Sequence, residues 1–158
     1  MKTNIIRRVA LIAFAGLVAF SGPGLAQNRA LQQRLENASK IDCRFEAMAT
    51  ASWDDGAPAV NTAAADFEAS FFDINVDEGS AEADSSYGAS YIVVRYSFGY
   101  LHLMQMINSG PLYVTTILAQ ETSGGRMMAI HNRLEYSPTV LPGFTSRPEI
   151  YVGDCEVS

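Results

Sequence analysis

Ile41-Asp42-Cys43-Arg44-Phe45-Glu46-Ala47-Met48-Ala49-Thr50-Ala51-Ser52-Trp53 alternates apolar and polar residues, with Met48 alone out of step. Successive side chains of a β-strand point to opposite faces, so this pattern reads as a long strand with one buried face. Cys43 falls on that face. The other cysteine of the chain, Cys155, lies 112 positions on, in a run from Ile150 to Val157 that also reads as a strand. In an oxidising compartment two such cysteines most simply form one disulfide. A bond between the first and last strands brings the two ends of a meander together, and a sheet whose ends meet is a closed or nearly closed barrel. The alternative is a two-sheet β-sandwich with the bridge crossing between layers.

The segment between the cysteines supplies the remaining strands. Asp54-Asp55-Gly56-Ala57-Pro58 ends the first strand, and the small residues 57–65 read as a loop. Phe67, Ala69 and Phe71 alternate, then the phase flips to Phe72, Ile74 and Val76, as a β-bulge would require. Asp77-Glu78-Gly79 turns into a short strand around Ala81 and Ala83. Tyr91 to Phe98 is rich in β-branched and aromatic residues. Tyr100 to Ile107, Leu112 to Gln120 and Arg126 to Tyr136 follow, separated by Gly99, Asn108-Ser109-Gly110 and Ser123-Gly124-Gly125. About eight strands joined mainly by tight turns must run antiparallel.

Ahead of the strands lie two further elements. Lys2, Arg7 and Arg8 precede the apolar run Val9–Phe20, and Gly24-Leu25-Ala26 offers small residues for cleavage. The run is too short to span a bilayer but suits a secretory leader. Residues 1–26 are therefore expected to be a cleaved signal peptide of the general export type, with twin-arginine export as the alternative. Residues 27–158 are expected to be a single β-rich domain, exported to the periplasm or the extracellular space. Within it, 27–40 is expected to be a helix, from Leu31, Leu35 and Ala38 at spacings of four and three, and 41–158 the meander.

The chain carries a net charge of −6. The leader holds three cations and no acid, so the remainder would carry −9. From Phe45 to Val94 there is no Lys or Arg against ten acids. Such a surface repels phosphate backbones, which argues against nucleic acid as a partner. No stretch beyond the leader is apolar enough for stable membrane insertion as a helix.

Several clusters carry possible chemistry. His102, Met104 and Met106 share one face of a strand, a soft set that suits Cu(I). Their spacing resembles Met/His sites of small exported copper-binding β proteins, and Met127 and Met128 are candidates for a further ligand. Methionine as core filler explains the same residues. Asp73, Asn75 and Asp77, with Asp84 beyond, resemble a calcium loop, although Glu78 stands where the glycine of an EF-hand would. A half-buried strand running into a turn explains them equally. His131 is expected on an outward polar face with Arg133 and Glu135, with Met128, Ile130 and Leu134 inward. The Pro-rich segment around Phe144 and Arg147 is a candidate recognition loop.

No phosphate-binding loop, nucleophile elbow or zinc-protease motif is present. The expected role is non-enzymatic: binding a small apolar ligand inside the barrel, with alanines of the first and third strands leaving room for it. An envelope protein-interaction module and a periplasmic copper binder are the alternatives.

Overall fold

The computed structural model of the protein describes residues 23–83, 90–106, 110–136 and 147–158. One helix, α1 (Pro23–Glu36), precedes eight strands: β1 (Ile41–Asp54), β2 (Ala57–Asn75), β3 (Ser80–Ala83), β4 (Ser90–Ser97), β5 (Tyr100–Met106), β6 (Leu112–Glu121), β7 (Met127–Leu134) and β8 (Glu149–Val157). Each strand pairs antiparallel with its neighbour in sequence, and β8 returns to β1. The result is a closed barrel of consecutive strands rather than a sandwich. Cys43 and Cys155 face each other in the register of that last pair and are joined by a disulfide.

The helix starts earlier and stops sooner than its apolar spacing predicts. It ends at Glu36 because Ser39 and Lys40 turn to the end of β8, where both backbone N–H groups donate to the Ser158 carbonyl. Leu35 and Ala38 are buried in the core, and Leu31 packs beside them. Arg34 donates twice to the Val157 carbonyl, at 2.9 and 3.1 Å, and Tyr96 donates to the Gln32 carbonyl. The helix thus plugs one mouth of the barrel, over the β4–β5 turn and the end of β8. Below it Ile41, Phe71, Val94, Leu101, Leu103, Ile117 and Met127 form the apolar core.

Two bulges set which residues reach that core. Register slips between Phe45 and Ala47, so the inward set changes from Ile41, Cys43 and Phe45 to Met48, Thr50 and Ser52. Met48, the residue that broke the alternation, therefore lies inside, and Trp53 lies outside, more than half exposed. Ala47, Ala49 and Ala51 share the outward face and leave no space in the lumen. On the third strand, Ala81 and Ala83 are packed into the core and leave none either. The second slip, between Phe72 and Asn75, places Asp73 at φ 50° and turns Ile74 inward, at the expected phase change. Residues 57–65 are strand rather than loop: Asp55 and Gly56, both at positive φ, make a two-residue hairpin turn between Asp54 and Ala57. No helix among the described residues is long and apolar enough to cross a membrane.

Opposite the first bulge, Gly153 lets β8 approach β1 closely. A Cβ there would overlap the Arg44 carbonyl and the Phe45 Cα. Gly153→Ala should therefore cost about 1–3 kcal/mol in urea unfolding by overpacking against backbone. Replacing both cysteines by serine opens a loop spanning 112 positions; the same measurement should show a loss of about 2–4 kcal/mol. A loss below 1 kcal/mol in the double variant would mean that backbone pairing alone holds the seam.

Candidate functional site

The end of the barrel away from α1 has a different interior. Alternation on β6, β7 and β8 turns Tyr113 and Thr115, then His131 and Arg133, then Glu149 and Tyr151 into the lumen. The register aligns them in two cross-strand rows: Thr115–His131–Tyr151, and nearer the mouth Tyr113–Arg133–Glu149. Phe45 from β1 and Phe67 from β2 close the ring opposite, 5.6 Å apart and stacked.

His131 sits at the centre, its Nδ1 2.8 Å from Thr115 Oγ1. The rings of Phe67, Phe45, Tyr151 and Tyr113 surround it at 5.0–6.3 Å. Burial, and then the positive charge of Arg133, push its pKa down to about 4. The ring is therefore neutral at pH 7. Arg133 lies over Tyr113 and Phe67, 5.1 and 5.9 Å from the ring centres, and faces Glu149 at 3.8 Å. Tyr113 donates to Glu135 at 2.8 Å, and Tyr151 to Glu149 at 2.6 Å. Burial, and then these carboxylates, raise both phenol pKa values. Both tyrosines stay protonated and act as donors. Among the described residues no buried side-chain nitrogen or oxygen lacks a partner.

His131 thus lies opposite to its predicted direction. Met128 and Leu134 point outward and are exposed, and His131 is buried. Apolar residues do not mark the inward face of β7, because at this end the outer face of the barrel is apolar too: Val93, Met106, Leu134, Ile150 and Val152 are all exposed. The signal that locates the site is the run of inward polar residues at spacing two, His131, Arg133 and Glu135, which Thr115, Glu149 and Tyr113 on the neighbouring strands pair in turn.

The other predicted residues fall elsewhere. His102, Met104 and Met106 share the outward face of β5, with Leu101 and Leu103 inward. His102 Nδ1 is 3.0 Å from Thr116 Oγ1 and its ring stacks beside Tyr100. Met127 is in the core and Met128 on the surface. Asp73 marks the bulge, Asn75 Oδ1 accepts the Glu78 N–H at 3.0 Å, and Asp77 is exposed in the turn. Asn75 therefore serves to hold that turn. Among the described residues no three His, Cys, Asp or Glu side chains gather as a metal site. Arg147 is exposed, two residues ahead of β8, while Phe144 and Asp84 lie outside the described residues.

A separate hollow of about 560 Å³ lies on the outside of the barrel over the disulfide. Several of its charges are paired: Arg126 with Asp154 at 2.6 Å, Arg44 with Glu46 at 3.7 Å, and Asp42 with Lys40, Asp42 also accepting from Ser70. The first of these contacts to Asp42, from Lys40, holds its carboxyl below the usual range, with Ser70 adding to the effect. No protein-family model, no curated protein and no solved structure matches the chain.

The neutral state of His131 has a pH signature. Below its ordinary value of 6.5 the unfolded chain takes up a proton here, and the folded chain does not until about pH 4. The folded state is therefore penalised progressively as pH falls from 6.5 to 4, and not further. Between pH 7 and 5 the loss due to His131 should be about 2 kcal/mol. In urea unfolding at both pH values, His131→Gln should remove that much of the drop. Equal drops in the two proteins would show that the imidazole titrates normally.

Proposed function

We propose that the chain is an exported, non-enzymatic barrel that binds a small amphipathic ligand at the mouth of its lumen. The carrying observation is where polarity lies. Charged and aromatic groups line the inside of the mouth, and apolar side chains cover the outside of the same end. Filling the lumen with apolar residues would be at least as stable as filling it with paired ions. The paired ions are accounted for by recognition.

The lining selects the ligand class. Arg133 and Glu149 retain 19% and 13% side-chain exposure, so a bound molecule can reach both from the mouth. The faces of Phe67 and Tyr113 beside them suit a flat apolar body. The deeper half is packed with Leu101, Leu103, Ile117 and Met127, which confines the ligand to the polar half. An amphipathic molecule therefore fits better than a wholly apolar one. Export is supported by the leader-like start of the chain and by the disulfide.

Native mass spectrometry of protein taken from the exported fraction tests this directly. The expected spectrum shows a chain lacking its leader, two hydrogens light, with a small-molecule adduct. The neutral dye N-phenyl-1-naphthylamine should compete with that adduct. Arg133→Gln combined with Tyr113→Ala should weaken dye binding at least tenfold while leaving the β circular-dichroism signal intact. A bare chain that binds no dye, or a dye indifferent to both substitutions, would sink the reading.

A further inference from the structure

We propose that the free edge of β2 between Ala57 and Ala64 accepts an extended segment of another protein, one with an uncharged middle and Lys or Arg at its ends. Past the end of β3, β1 and β2 continue as an arm, which β8 accompanies on the β1 side as far as Ala51. β3 pairs with β2 only from Phe71 to Asn75. Along Ala57–Ala64, among the described residues, β2 has a neighbour on the β1 side alone.

Backbone directions on the arm follow from one hydrogen bond. The Ala51 N–H donates to the Pro148 carbonyl, on the β8 side of β1. Ala51 therefore does not bond to its β2 partner Val60, and pairs in an antiparallel ladder alternate. Pro58, Val60, Thr62 and Ala64 consequently direct their main-chain groups away from β1, toward the open side. Pro58 fits that assignment, since its missing N–H falls on the edge, where proline is tolerated. The N–H groups of Val60, Thr62 and Ala64 and four carbonyls remain as a template for one more strand.

Charge chooses the partner. Ala57–Ala65 carries no charge, but Asp54 and Asp55 stand at the tip of the arm and Asp66 and Glu68 at its base. A second copy of the chain paired antiparallel over this stretch would set the tip acids of one arm against Asp66 or Glu68 of the other. A parallel copy in register would set Asp66 on Asp66 and Glu68 on Glu68. Both arrangements are repulsive. Arg44 on β1 stands in register with Glu68, but no Lys or Arg occurs from Phe45 to Val94 to relieve Asp54, Asp55 and Asp66. A strand with cations at both ends meets acids at both ends of its site, in either direction.

The test uses a capped peptide of alternating valine and threonine flanked by lysines, with a glutamate-flanked version as control. Trp53, the chain's single tryptophan, lies across from Pro58 and reports binding by fluorescence. The lysine peptide should bind at least tenfold tighter than the glutamate peptide. Val60→Pro removes an outward N–H without touching the bonds between β1 and β2, and should weaken binding at least tenfold. Asp66→Asn with Glu68→Gln should weaken it at least threefold. If Val60→Pro fails to fold, amide exchange on the unmodified chain decides: the peptide should slow exchange at Val60, Thr62 and Ala64 at least tenfold. No binding, binding unaffected by Val60→Pro, or unchanged exchange would overturn the proposal. Dimerisation of the chain alone that Val60→Pro abolishes would overturn the choice of partner.

Discussion

The seam between β1 and β8 is the contact on which the rest of the architecture depends. It joins segments more than a hundred residues apart, so its loop-closure cost is the largest in the fold. Three features meet it at one place. Cys43 and Cys155 bond directly across the pair, Gly153 admits the bulge of β1, and the Ser158 carbonyl receives the backbone of Ser39 and Lys40. Once the seam is shut, the sheet has no edge at the helix end, and α1 has a closed mouth to plug. Without it the same strands would form an open meander with two long edges, a template for aggregation.

The closed ring has two halves of opposite character. Near α1 the interior is apolar and the exterior carries Arg126, Asp154 and Glu156 in matched pairs. Near the mouth the interior holds His131, Arg133 and Glu149, and the exterior is largely apolar. Every strand of β6–β8 crosses from one regime to the other along its length. The polar half is kept rigid by mutual pairing: carboxylates hold the phenols, and the guanidinium stacks on aromatic rings. Pre-ordered groups of this kind cost a ligand little reorganisation, which is what a recognition site needs.

The bulge at Glu46 links the two halves to the arm. It redirects β1 so that Met48, Thr50 and Ser52 line the lumen. It also turns the hydrogen-bonding parity of β1, which sends the Ala51 N–H to the β8 side and leaves Val60 and Thr62 facing outward. A single irregularity thereby sets both the contents of the mouth and the polarity of the exposed edge. The arm and the mouth lie at the same end of the molecule, so the surfaces proposed for ligand and partner stand close together.

Much of this fold was legible along the chain. Alternation, tight-turn residues and two cysteines on distant strands point to an antiparallel ring, because strand period and disulfide reach are local or pairwise properties, and the pairing of β8 with β1 excludes the sandwich. The bulge near Asp73 was visible as a phase change between Phe71 and Phe72. The bulge near Glu46 was not, because the alanines after it carry little phase information and Met48 looked like an exception. The same weakness hid the arm: small residues at 57–65 suggest a loop until Asp55-Gly56 is recognised as a hairpin turn. The direction of His131 was decided only in three dimensions. β7 carries Met128, Ile130 and Leu134 on one face and Met127, Ala129, His131 and Arg133 on the other, and period alone cannot say which face turns inward. That choice belongs to the barrel as a whole, where Thr115, Tyr151 and Glu149 on neighbouring strands supply the partners that make a buried imidazole and guanidinium stable.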